Sequence, residues 1–174
     1  QSEQTINLIP MAGAGKRFTD EGYKDPKPLI NVSGRPMVVQ AINSLPVSKN
    51  HYFICQNEHL KSYPLEENLM GHYPNARILK LSKMTEGQAC TCEVGTKEIH
   101  PDTPLFVGAC DNGMIWNNEK YQTLLNDKSI DIIVWSFLNH PHANQNPQMY
   151  GWIKTDSNQI VTSVSVKKAI SDTP

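Results

Sequence analysis

Short apolar runs alternate with amphipathic stretches along most of this chain. Residues 5–11 (TINLIPM) form an apolar run that stops at a glycine-rich turn, which predicts a buried strand. Residues 36–45 (PMVVQAINSL) change to helical spacing, with Met37, Val38, Ala41, Ile42 and Leu45 on one face. Pro36 suits a first helical turn, and Pro46 closes the segment. Residues 51–55 (HYFIC) read as a second strand and residues 76–81 (ARILKL) as a third. Residues 58–70 between them are polar and partly helical, interrupted at Pro64. A helix over 85–99, a strand over 105–110 (LFVGAC) and a helix over 118–125 follow. Residues 130–138 (IDIIVWSFL) are rich in β-branched and aromatic side chains and predict the strongest strand of all. Two closing strands, near 150–154 and 159–167, are joined by the turn-prone Asp156-Ser157-Asn158.

Strand–helix alternation at this spacing predicts an α/β fold of three layers, a mostly parallel sheet with helices on both faces. The closing strands look like a hairpin, so a mixed edge is expected. Ligands of open parallel sheets sit outside the carboxyl ends of the strands. That points to the loops after Met11, Cys55, Leu81 and Ala109.

Composition narrows the function classes. The 174 residues fit one domain, expected to span 1–174, with 39% hydrophobic residues for a single core. Sixteen Lys+Arg against 17 Asp+Glu give a formal net charge of -1, unlike a domain that holds nucleic acid by bulk charge. No apolar run reaches the roughly 18–20 residues of a membrane span. The polar start, Gln1-Ser2-Glu3-Gln4, does not read as a signal peptide. Cys55, Cys90, Cys92 and Cys110 lack zinc-knuckle spacing and read as reduced thiols of a cytoplasmic protein. His140-Pro141-His142 is the only close histidine pair, with no third ligand nearby.

The strongest chemical signal follows the first strand, at Ala12-Gly13-Ala14-Gly15-Lys16-Arg17-Phe18. Its glycines allow close backbone approach to a ligand, and successive N–H groups there can form an anion nest. Lys16 and Arg17 add positive charge at the same place. The P-loop pattern fails, because Pro10 stands where its first Gly belongs and Arg17 replaces the Ser/Thr. The dinucleotide pattern fails at Phe18, where a third Gly is needed. A third pattern fits throughout: G-x-G-x-R followed by Pro26-Lys27-Pro28-Leu29-Ile30. The prolines stiffen that segment and fix how Lys27 presents its ammonium.

Residues 6–45 resemble the N-terminal signature of the sugar-phosphate nucleotidylyltransferases (NDP-sugar pyrophosphorylases), closest to capsule and surface-polysaccharide members reading I-P-M-A-G-x-G-x-R-F and then P-K-P-L-I. Weaker likeness continues along nearly the whole chain. The resemblance implies a Rossmann-like, nucleotide-diphospho-sugar transferase type of fold. It implies a cytoplasmic, Mg2+-dependent enzyme that condenses a nucleoside triphosphate with a sugar phosphate or other small phosphate monoester, releasing pyrophosphate. The attacking phosphate is already ionised at neutral pH, so catalysis rests on positioning and charge neutralisation.

By this resemblance the loop Ala12, Gly13, Ala14, Gly15, Lys16 and Arg17 binds the nucleotide. Gly13, Ala14 and Gly15 line the triphosphate, and Arg17 holds its β/γ portion. Lys27 stabilises the α-phosphate or the incoming phosphate, and Asp111 binds the metal, making Arg17, Lys27 and Asp111 the expected catalytic set. Gly87 and Gln88 face the base at a helix start, although Thr85 and Gln88 also fit a capping box. Gln56 is a further base-contact candidate. Asp111 also suits a plain Asp-Asn-Gly turn. Downstream, Lys167 is the acceptor-binding candidate, but Val166 and Ala169 stand where the family commonly has Glu and Pro. The family's second metal-binding Asp lies beyond this segment, so a domain cut on its acceptor side is expected. Two other readings remain open. One is a glycosyltransferase of related fold, which would need a D-x-D motif that Asp111-x-Gly113 does not supply. The other is a non-catalytic nucleotide-binding domain.

Overall fold

The computed structural model describes residues 5–171; the polar residues 1–4 and residues 172–174 lie outside the described part. By its contacts the chain divides into two compact units, Gln1–Trp116 and Asn117–Pro174.

The first unit is built on four parallel strands. They are β1 (Ile6–Pro10), β4 (Asn50–Gln56), β5 (Arg77–Leu81) and β6 (Leu105–Val107), in the order β5-β4-β1-β6. A short antiparallel ribbon, β2 (Asn31–Val32) with β3 (Arg35–Pro36), stands apart. The side-chain period of two sorts each strand between the sheet's faces. Ile9, Phe53 and Cys55 pack with Val38, Val39 and Ile42 of α2 (Met37–Asn43) and with Leu65 and Leu69 of α4 (Leu65–His72). Their strand neighbours Leu8 and Ile54 turn the other way, where Cys92 of α5 (Gln88–Thr96) packs against the cluster they form. Three layers follow from that alternation, and the parallel α/β fold expected from the sequence is the fold observed. Phe53, Leu8, Ile9, Ile54, Leu65, Leu69 and Val38 are fully enclosed. Each such side chain contributes about 1.5–3 kcal/mol by leaving water.

Proline sets two helix boundaries. Pro64 separates α3 (Asn57–Ser62) from α4, as the sequence suggests, and Pro36 immediately precedes α2. Helix α5 begins later than the expected residue 85, after Gly87. The Thr85–Gln88 capping box does not form, because the Thr85 hydroxyl donates to the Gly87 carbonyl at 2.9 Å.

The second unit contains α6 (Asn118–Asn126), α7 (Pro141–Gln145) and the antiparallel hairpin β7 (Gly151–Thr155) with β8 (Val161–Val166). The hairpin turns at the expected place, where the Asp156 carboxylate accepts from the Asn158 and Ile160 N–H groups. It forms a two-stranded sheet of its own, so the mixed edge expected from the sequence is not seen on the described main sheet. The segment 130–138 is not the strand its composition predicts. Ile132 and Leu138 are 80% and 76% exposed, while Trp135 and Phe137 make ring contacts with Tyr121 and Tyr150. β-propensity reflects packing on a paired, half-buried surface, and no described strand offers this segment a ladder. Among the described residues, no helix is long and apolar enough to cross a membrane.

Candidate functional site

Strand order explains where the site lies. From β1 the chain crosses to β4 and β5 on one side, then returns past β1 to β6 on the other. Loops leaving β1 and β6 therefore diverge at their carboxyl ends and open a crevice. The β1 loop is residues 11–15, and the β6 loop carries Asp111.

Local chemistry shapes the first loop. Met11 N–H still donates to the Ile54 carbonyl at 2.9 Å, so the strand holds register up to the turn. Ala12 is buried, and its carbonyl accepts from the Gln56 side-chain amide, which ties the β4 end to the loop. Gly15 then turns left-handed at φ 61°, a conformation that favours glycine. The short helix α1 (Lys16–Asp20) follows directly and carries Lys16 and Arg17. Among the described residues, no acceptor takes the N–H groups of Gly13, Ala14 or Gly15, which leaves them available to a ligand.

Lys27 stands on the stiffened segment the prolines predict. Pro26 is extended at φ -63°, ψ 144°, and residues Lys27–Leu29 make one 3-10 turn closed by Leu29 N–H donating to the Pro26 carbonyl at 2.8 Å. Pro28 and Ile30 are buried and anchor the turn, while Lys27 projects from it. Asp111 is held from the opposite loop. Cys110 beside it is buried, Met114 N–H donates to the Ser44 hydroxyl at 3.1 Å, and the Trp116 indole donates to the Ser44 carbonyl at 2.9 Å.

These two loops meet. The Lys27 Nζ lies 2.5 Å from Asp111 Oδ2, with both side chains about one quarter exposed (26% and 29%). A cavity of about 550 Å³ is lined by Ala14, Gly15, Lys16, Arg17, Lys27 and Asp111, together with Phe18 and Glu21. Three cations against two carboxylates give it a net positive wall. An adjoining cavity of about 420 Å³ shares Ala14, Gly15, Phe18 and Lys27, and extends to Gly13, Gln56, His59, Tyr63 and Met84. Its far wall carries amide, ring, hydroxyl and thioether groups with one carboxylate, Glu58, a mostly uncharged lining suited to a flat heterocycle.

Most of the residues singled out in the sequence converge here. Gly87 and Gln88 open α5 and lie outside the lining of both cavities, although Met84 just before them is included. Lys167 follows β8 directly in the second unit, exposed and left-handed at φ 58°. Phe18 is a residue whose role the motif did not reveal. Its ring lies 5.7 Å from the Lys27 ammonium, a cation–π seat beneath it. Its place three residues after Gly15, where the dinucleotide pattern needs glycine, was the available signal.

The cysteines stay out of this chemistry. All four are free, and burial pushes the Cys55 thiol up to about 12 and the Cys110 thiol up to about 11. His140 and His142 gather no third ligand; among the described residues no cluster of three metal-ligating side chains exists.

Comparison with solved structures places this architecture. The chain matches a nucleoside-diphosphate-sugar pyrophosphorylase from Vibrio cholerae with a TM-score of 0.66 at 20% identity, over 96% of this chain and 69% of that one. It matches an inositol-1-phosphate CTP transferase from T. maritima with a TM-score of 0.70 at 13% identity, over 98% and 67%. A UDP-glucose pyrophosphorylase complexed with UDP-glucose aligns with a TM-score of 0.62 at 15% identity, over 94% and 69%. The fold is the nucleotidyltransferase fold. This chain spans about two thirds of the length of those proteins. No family model and no curated protein matches it by sequence.

Proposed function

We propose that this chain is the nucleotide-binding domain of a cytoplasmic, Mg2+-dependent nucleotidyltransferase that joins a nucleoside triphosphate to a sugar phosphate or another small phosphate monoester. The reading carries a role in capsule or surface-polysaccharide precursor synthesis, from the resemblance of residues 6–45 to those enzymes. The observation that supports it most is the convergence of Ala14, Gly15, Arg17, Lys27 and Asp111 on one cavity, with Gly13 in the cavity that adjoins it. Three cations in that wall answer a polyphosphate, and the free N–H groups of the loop answer its oxygens.

In this reading the acceptor's phosphate oxygen attacks the α-phosphorus. The bond from that phosphorus to the bridging oxygen breaks, and pyrophosphate leaves with the electron pair. Arg17 holds the β/γ portion, and Lys27 offsets the charge gathering on the α-phosphate. Gln56 and the neighbouring wall receive the base, and Gly87 and Gln88 at the start of α5 are assigned to it as well. Lys167 is assigned to the acceptor's phosphate.

The donor set fits Mg2+. Asp111 and Glu21 are the carboxylates in the cavity, and Mg2+ is held by one or two carboxylates with waters and substrate phosphates completing its shell. Asp111 would hold the ion, which supplies further charge neutralisation on the phosphates.

The test is pyrophosphate release with CTP, UTP, dTTP and ATP, each against glucose 1-phosphate and inositol 1-phosphate. Pyrophosphate together with a nucleotide-linked product supports the reading. Nucleotide binding without turnover across a wider acceptor panel would overturn it in favour of a non-catalytic domain.

A further inference from the structure

The Lys27–Asp111 pair sets a condition on how the cavity fills. Among the described residues Lys16 and Arg17 make no ion pair, so their charges are open to an incoming anion. Lys27 alone of the three is engaged, at contact distance with a carboxylate. An ammonium has three donors, but its charge toward an entering phosphate is largely offset while Asp111 lies 2.5 Å away. The pair is a quarter exposed instead of sealed, so its partners can exchange without unfolding anything. Lys27 sits on its 3-10 turn, and the loop of Asp111 is anchored to Ser44 at Met114 and Trp116, so the shortest route to opening is through the side chains. The Phe18 ring already lies 5.7 Å from the paired ammonium, so Lys27 keeps one favourable neighbour inside the cavity when the carboxylate leaves.

We propose that the Lys27–Asp111 ion pair is a latch that withholds Lys27 from polyphosphate until Asp111 takes a divalent cation instead. The proposal rests on the polyphosphate reading of this cavity. When Asp111 turns to a divalent cation, Lys27 is released, and the cavity gains a free positive charge as well as the ion. Cation and polyphosphate then bind with positive coupling through these two side chains, and linkage makes that coupling reciprocal. A metal-free polyphosphate meets only Lys16, Arg17 and the loop N–H groups at full strength.

A double-mutant cycle separates the latch from simple repulsion by Asp111. The probe is inorganic tripolyphosphate, titrated by calorimetry in EDTA against the wild type, Asp111→Asn, Lys27→Met and the double variant. Asp111→Asn frees Lys27, so affinity rises by about tenfold in the Lys27 background, the range of ordinary site coupling. In the Lys27→Met background there is no ammonium to free, and the gain is smaller. An equal or larger gain there means repulsion alone acts, and the latch is overturned. In Mg2+ the advantage of Asp111→Asn disappears; an advantage that persists overturns the metal-linked release. Asp111→Ala repeats the cycle if Asn disturbs folding, with thermal melting as the check. Failure of every form to bind tripolyphosphate, with or without Mg2+, removes the polyphosphate reading itself, a result distinct from failure of the latch.

Discussion

Lys27→Met removes the ammonium shared by both cavities while keeping most of the side-chain volume. Two magnitudes bear on it, and they differ in scale. The ion pair with Asp111 is 26% and 29% exposed, so solvent screening limits its worth to about 0–1 kcal/mol. For a chain of this size that is a shift of at most about 2–4 °C in melting temperature. The transition-state role is larger. Removing one donor aimed at developing charge costs about 10²–10³ in rate, or roughly 2.7–4 kcal/mol. Lys27→Met is therefore expected to melt within a few degrees of the wild type and to lose at least a hundredfold in pyrophosphate release. The assay is coupled pyrophosphate detection with the nucleotide and acceptor pair that gives turnover, beside a thermal melt of the same preparation. Unchanged turnover refutes the assignment of Lys27. A large loss of both melting temperature and turnover refutes the argument that its pairing is marginal to the fold.

Four further outcomes are expected. Asp111→Asn removes the Mg2+ dependence of activity, read from a metal titration; a wild-type titration curve refutes Asp111 as the metal ligand. Gly95→Ala places a Cβ 2.5 Å from Ile54 Cδ1 and 3.0 Å from Leu8 Cδ1, so overpacking of about 1–3 kcal/mol outweighs the helix-propensity gain of about 1 kcal/mol, and denaturant melts show lower stability. Burial holds His51 below its ordinary value of 6.5, so the unfolded chain binds a proton that the folded one refuses. Stability falls as pH drops below 6.5, and His51→Phe flattens that part of the profile in urea melts. Cys55 and Cys110 ionise in the unfolded chain near 9.0 but not in the folded one, so stability also declines as pH rises from about 9, while a thiol reagent at pH 8 labels Cys90 and spares these two.

Much of the first unit is legible in the sequence because its signals are local. The runs that became β1 and β4 are short and apolar, and β5 alternates apolar with charged positions, so each carries its own strand signal. The Gly-rich loop and the Pro-Lys-Pro segment are legible for the same reason, since backbone constraints act within a few residues. What failed depended on partners. Residues 130–138 have the composition of a strand, yet a strand needs a neighbouring ladder, which the composition cannot report. Thr85 and Gln88 have capping-box spacing, but the Thr85 hydroxyl found the Gly87 carbonyl and the Thr91 hydroxyl instead. The contact between Lys27 and Asp111 joins loops far apart in the chain, so no spacing rule announces it.

The near-neutral charge of the chain acquires a physical meaning in that contact. A net charge of -1 says that no bulk field draws a polyanion to this surface. Capture must then come from few charges placed at short range, and the sheet supplies the place. β1 ends between two strands reached in opposite directions, so the loop of Gly13–Gly15 faces the crevice between them. Gln56 closes one side of that crevice and Asp111 the other, with Lys27 common to both cavities. Three free cations so close together would repel one another in the empty cavity. Asp111 offsets one of them, and Phe18 shields the same ammonium from below. The compensation that steadies the empty site is then the compensation that must be undone to use it. Charge-reversing both partners, as Lys27→Asp with Asp111→Lys, would restore the pair and the melting temperature but move the ammonium to the β6 loop, so activity should not return. Recovered turnover in that swapped variant would show that only the pair matters, and would refute the claim that the position of Lys27 on its proline-stiffened turn does.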